Sequence, residues 1–150
     1  MRQAMLAVMW GVLVSCGTPT DVVDWSNGGS AGLYPGVLTL GDRYPVKIDV
    51  PERMVVGEAA MVSIRTWGGG CTAKGHVDVT VNDMTAVLAP MDVYKPPVKP
   101  QSICAALLNT YEHEASITFE RGGTATVLIR GSEKPGNSPI EVRFSVMVTP

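Results

Sequence analysis

The chain has 150 residues, 45% hydrophobic and 17% charged, which suits one globular domain with a sizeable core. Lys plus Arg number 12 against 14 Asp plus Glu, a formal net charge of -2, with no basic cluster anywhere. Nucleic acid is thereby excluded as an expected partner, since phosphate binding needs concentrated positive charge, and no basic patch is present to hold an anionic membrane surface.

In chain order, Arg2 is followed by an apolar stretch from Ala4 to Val14 and then by the small residues Ser15 and Gly17 flanking Cys16. The stretch is far shorter than the roughly 20 residues that span a bilayer core, and it reads as a cleaved secretory leader. Its end, Leu13-Val14-Ser15-Cys16, resembles the lipobox of bacterial lipoproteins. That resemblance covers about the first 17 residues. It implies a signal peptide over residues 1–15, removed just before Cys16, with a diacylglycerol on the Cys16 thiol and an acylated amine. Gly17, where Asp favours inner-membrane retention in that family, leans towards the outer membrane. A plain signal peptide or a buried N-terminal helix are the competing readings of the same residues. At about 0.8 kcal/mol per buried methylene, two or three acyl chains anchor stably where one is marginal.

Residues 16–41 are rich in Gly, Ser, Thr, Pro and Asn, and are expected to be a flexible tether. They contain a formal Gly-x-Ser-x-Gly motif, Gly28-Gly29-Ser30-Ala31-Gly32, but no apolar strand precedes it and no helical period follows, so a nucleophile elbow is not expected. Trp25, Leu33 and Tyr34 belong either to the tether or to a segment packed back on the domain.

From Asp42 the hydrophobic period is two. Val46, Ile48 and Val50 alternate with Lys47 and Asp49; Val62, Ile64 and Thr66 with Ser63 and Arg65; Val77, Val79 and Val81 with Asp78 and Thr80. A run from Thr85 to Val93 carries Pro90, implying an edge or a bulge. Ala115, Ile117 and Phe119 share a face, and Ala125, Val127 and Ile129 follow across Arg121-Gly122-Gly123, which predicts a hairpin. Ile140, Val142, Phe144, Val146 and Val148 close the pattern, and only Ser102 to Asn109 has room for a helical turn. One buried and one wet face per strand suggests antiparallel pairing. About seven turn-separated strands over residues 42–150 predict an all-β chain folded as a single antiparallel two-sheet sandwich.

Two stretches, Pro51-Glu52-Arg53-Met54-Val55-Val56-Gly57 and Phe119-Glu120-Arg121-Gly122-Gly123-Thr124-Ala125-Thr126-Val127, make residues 44–149 resemble a bacterial immunoglobulin-like or fibronectin III-like module. The antibody-type core disulfide with its packed Trp is missing, and Ala125 stands where the tyrosine corner would put its Tyr.

With Cys16 lipidated, Cys71 and Cys104 form an even pair, which oxidises outside the cytoplasm. Both fall in loops, one after Gly68-Gly69-Gly70 and one in the connection bearing Pro96, Pro97 and Pro100, and joining them stabilises by about 3.5 to 4 kcal/mol. The competing reading is a metal set of Cys71, His76, Cys104 and His113, with Glu112 and Glu114 nearby. His113 has the inward parity of Ala115 and His76 the outward parity of Asp78, which favours a core-capping and a surface histidine. Neither has a nucleophile beside it, no phosphate- or dinucleotide-binding glycine motif occurs, and neither an enzyme nor a cofactor is expected.

The expected function is therefore a lipid-anchored, extracytoplasmic envelope protein whose non-catalytic module serves binding or structure, with an envelope protein or polysaccharide as partner. The alternative is a metal-binding or ligand-sequestering lipoprotein using His76, His113 and nearby acids. Trp67, Tyr94 and Tyr111 flank the cysteine loops as candidate binding residues; covering the open end of the sandwich is their other reading.

Overall fold

The computed structural model describes residues 32–97 and 103–150. Cys16, Trp25 and residues 28–31 of the glycine-serine motif lie outside the described residues. The described chain is all-β, with ten strands and no helix: β1 (Gly32–Pro35), β2 (Val37–Thr39), β3 (Ile48–Asp49), β4 (Arg53–Val55), β5 (Ala60–Gly68), β6 (Thr72–Asn82), β7 (Thr85–Tyr94), β8 (Asn109–Ile117), β9 (Gly123–Glu133) and β10 (Ser138–Thr149).

The alternation in the sequence becomes a one-sided core. Val62 and Ile64 of β5, Ala86 and Leu88 of β7, Ala115 and Ile117 of β8, Ala125, Val127 and Ile129 of β9, and Val146 and Val148 of β10 all belong to one buried cluster, with Phe119 among its largest members. Each fully buried Leu, Ile, Val or Phe contributes about 1.5–3 kcal/mol by leaving water.

Pairing runs in two series. β4, β10, β9, β7 and β6 are successive neighbours, with β1 also on β7; β3, β5 and β8 form the other series. β2 joins them, because Val37 pairs with Trp67 of β5 and with Ser132 of β9. The result is a ten-stranded mixed sheet, where the alternation alone predicts about seven antiparallel strands. β6–β7 and β9–β10 are antiparallel hairpins because short turns reverse the chain. β7 and β9 run parallel because the chain between them leaves to place β8 beside β5 and then returns. The other parallel pairs are β4–β10 and β2–β9. The extra strands are β1, β2 and β4, which are too short or too interrupted by Gly and Pro to show a period of two.

Other expectations also change. Residues 32–39, which have the composition of a tether, form β1 and β2 and enter the fold; Leu38 is fully buried. Gly36 and Gly131 let them approach: a Cβ on Gly36 would stand 2.4 Å from Thr66 Cγ2, and one on Gly131 would stand 2.6 Å from Leu38 Cγ. No hairpin forms across Arg121-Gly122-Gly123, since β8 pairs with β5 while β9 pairs with β10, β7 and β2. That turn is instead a crossover carrying Phe119 into the core. Residues 103–108 have no regular structure, although the sequence leaves room there for a helical turn. Val79 and Val81 are exposed, although they share the parity of Val77, which packs against the core. Pro90 stands beside a register irregularity between Lys74 and Val77 on β6, and on the other side it falls between the stretches that pair with β9 and with β1. Its missing N–H is therefore needed by neither neighbour.

Candidate functional site

At one level of the core the inward positions change from apolar to polar on three strands together. Along β5, Val62 and Ile64 are followed by Thr66; along β7, Ala86 and Leu88 lead through Pro90 to Asp92; along β8, Ala115 is preceded by His113. Register makes these positions coincide. Ile64 pairs with His113 and Thr66 with Tyr111, so Thr66 is the diagonal neighbour of His113 on the same face. His113 Nε2 lies 3.0 Å from Asp92 Oδ1 and 3.1 Å from Thr66 Oγ1, and all three residues are fully buried.

The cluster is incompletely satisfied. His113 Nδ1, Asp92 Oδ2 and the neighbouring Trp67 Nε1 have no hydrogen-bond partner in the structure. A Cβ at Gly36 would come within 3.1 Å of Asp92 Oδ2, so β1 and β2 close over the carboxylate. Ser132, also buried, has its N–H bonded to Gly36 O at 3.0 Å and its hydroxyl donating to Pro35 O at 3.4 Å. The same environment acts on Tyr34 of β1. Burial pushes its hydroxyl up to about 12, the Asp92 carboxylate adds to the rise, and a hydrogen bond with Thr72 opposes it.

An acid, a histidine and a hydroxyl together invite comparison with a catalytic triad, but the geometry does not provide one. A triad uses both ring nitrogens, one towards the acid and one towards the nucleophile. Here Asp92 and Thr66 share Nε2, and a fully buried hydroxyl meets no substrate. What the arrangement can do is join the two series of strands, because Asp92 comes from β7 and its partner His113 from β8, with Thr66 of β5 on the same ring nitrogen. Breaking such a pair on one side leaves an uncompensated buried polar group.

His113 is thus a core histidine, in keeping with its parity. His76 is a surface histidine, 2.9 Å from Asp78 Oδ1. Cys71 and Cys104 are joined in a disulfide with Cα atoms 5.2 Å apart. The four residues of the metal reading are therefore not brought together, and among the described residues no group of three His, Cys, Asp or Glu is arranged to hold a metal ion.

The three aromatic candidates differ from an exposed recognition patch. Trp67 is buried, with its ring centroid 5.0 Å from that of Tyr44. Tyr111 is half-buried and donates its hydroxyl to Thr72 O at 2.7 Å. Tyr94 is half-buried, its hydroxyl 3.9 Å from Cys104 Sγ. All three stand beside the polar end of the core and the disulfide loops. Asp92 is the member of the cluster that sequence reasoning missed, although it shares the parity of Ala86, Leu88 and Pro90. Its acidic side chain on an inward face was the available signal.

Beside this polar end, residues 103–108 form an exposed segment held against Gly69–Cys71. Gly70 N–H donates to Ala105 O at 3.3 Å, Leu107 N–H donates to the same oxygen at 2.8 Å, and the disulfide fixes Cys104. No family model, curated protein or solved structure matches this chain.

Proposed function

We propose that the chain is a bacterial envelope lipoprotein, anchored through lipid on Cys16, whose β-domain is a non-catalytic binding or structural module of immunoglobulin-like character. The single observation that carries the reading is the Leu13-Val14-Ser15-Cys16 motif at the end of a short apolar leader. The Cys71–Cys104 disulfide supports it, since such bonds persist in oxidising compartments and the motif leaves those two cysteines as a pair. The fully buried His113–Asp92–Thr66 group supports a non-catalytic role, because its reactive atoms are sequestered.

A two-layer sandwich is favoured by the way β5 and β8 share one core with β7, β9 and β10. The parallel β7–β9 pair distinguishes its strand order from antibody-type sheets, in which neighbours are antiparallel. Outer-membrane residence follows from Gly17 after the lipidated cysteine, where the organism has an outer membrane, and an envelope protein or polysaccharide is the partner class.

The test is expression of the full chain in a bacterial host fed an alkyne-bearing fatty acid. Label on the wild type, a mature mass beginning at Cys16, and loss of both in Cys16→Ser are expected. A mature protein cleaved elsewhere and carrying no label sinks the anchoring reading.

A further inference from the structure

Among the described residues Ile103 is the most exposed large apolar side chain, at 91%, with Leu107 at 60% and Leu108 at 47% in the same short segment. The run Ile103-Cys104-Ala105-Ala106-Leu107-Leu108 contains no charged side chain and no polar one outside the disulfide, and every residue in it is exposed. Its backbone is not free to fold the apolar groups inward. The disulfide holds Cys104 to Cys71, and the Ala105 carbonyl is engaged by the N–H groups of Gly70 and Leu107. Exposed apolar groups fixed in this way mark an interaction surface.

What covers that surface follows from where the anchoring chain enters the fold. Gly32, the first residue of β1, pairs with Tyr94, and Thr72 pairs with Tyr94 from the other side. The Tyr94 hydroxyl is 3.9 Å from Cys104 Sγ, and Lys95 N–H donates to Cys71 O at 2.8 Å. The entry point of the N-terminal chain and the apolar segment are thus neighbours at one end of the domain. From Cys16 to Gly32 the chain spans at most about 55 Å fully extended, and any shorter path draws this end towards the bilayer first. The segment also offers few directional groups for matching a protein partner, whereas an acyl-chain boundary requires none.

We propose that Ile103–Leu108 is a second, non-covalent membrane contact, a small apolar wedge that enters the lipid interface beside the anchor; this rests on lipidation of Cys16. The two attachments act together, the lipid holding the domain at the surface and the wedge setting its orientation.

The test uses the full chain, purified from a bacterial host and reconstituted into phosphatidylethanolamine–phosphatidylglycerol vesicles doped with a phospholipid bearing a diazirine in its acyl chain. After irradiation, peptide mass spectrometry maps the lipid adducts, and the intact mass reports the Cys16 lipid separately. Adducts concentrated on residues 103–108, falling at least about tenfold in Ile103→Asp/Leu107→Asp, are expected. Lipid on Cys16 with no adducts on the segment overturns the wedge while leaving the anchor in place. A Cys16 without lipid overturns the anchor and the wedge with it. A dimer in detergent that separates on Leu107→Asp overturns the wedge in favour of a second copy of the chain. The wild-type adduct map decides between these outcomes even if the double variant folds poorly.

Discussion

The two ends of the core are built on the same strands and obey different chemistry. Around Phe119, Ile117, Val127, Val146 and Val148 every buried side chain is apolar, and adhesion is a matter of area and close packing. Around His113, Asp92, Thr66 and Ser132 the burial is equally complete, but the contacts are directional and three polar atoms go without partners. The alternation of β5, β7 and β8 continues unbroken from one region to the other. On these three strands every inward position from Val62 to Thr66, from Ala86 to Asp92 and from His113 to Ile117 is buried, with Trp67 added from the other face of β5, and side-chain chemistry decides whether burial creates non-directional adhesion or a specific junction between strands.

The largest expected effect separates these two modes. Asp92→Ala leaves His113 without its acidic partner and costs about 3–5 kcal/mol, while Phe119→Ala costs a similar amount by opening a cavity. The distinction lies in coupling. Asp92→Ala combined with His113→Leu is expected to cost about 1–3 kcal/mol less than the two changes summed, whereas Phe119→Ala combined with His113→Leu adds. Urea unfolding of the five variants measures this, and strict additivity at Asp92 and His113 would abolish the contrast between the two ends.

Next in size is the covalent restraint on the polar end. The Cys71–Cys104 bond closes a loop with a sequence separation of 33, and its removal in Cys71→Ser/Cys104→Ser is expected to cost about 3.5 to 4 kcal/mol. A thermal melt that does not move would show that the loop needs no fastening.

Tyr34 gives a smaller and more selective probe. Its folded pKa of about 12 stands above the ordinary 10.0, so folding favours the protonated hydroxyl. The stability it contributes is present below about pH 10 and is lost as pH rises through 12. Tyr34→Phe should flatten the alkaline stability profile in that window. An ordinary tyrosinate titration near pH 10 by ultraviolet absorbance would mean that β1 is not docked.

The smallest effect is the control. His76 is exposed beside Asp78, and His76→Ala should stay within about 0.5 kcal/mol of the wild type. His113→Ala, which strands the buried Asp92 carboxylate, should cost several times as much.

The all-β class, the main core residues and the opposite parities of His76 and His113 can be read from alternation, and the cysteine pair from the even number left once Cys16 is set aside as the expected lipid site. The strand order cannot. Nothing local in Thr85–Leu88 specifies that it lies parallel to Thr126–Ile129, because both segments would alternate identically beside an antiparallel neighbour. β1 and β2 escape notice for a related reason. Gly32, Pro35 and Gly36 look like tether chemistry, and their role emerges only when β2 is seen against Gly131 and Thr66. The polar junction needs one residue from each of three strands, so parity can locate Asp92, Thr66 and His113 on inward faces without showing that they meet.

The pairing of β2 with β9 and of β4 with β10 also has a kinetic meaning. Ser132 and Gly36 are 96 positions apart, and Thr149 and Met54 are 95 apart. β2 meets β5 earlier, through Val37 and Trp67, but its seam with β9 and the seam of β4 with β10 need strands from the far end of the domain, and such distant closures slow folding. These two parallel seams are accordingly expected to close last, locking a sheet whose hairpins β6–β7 and β9–β10 form from local turns.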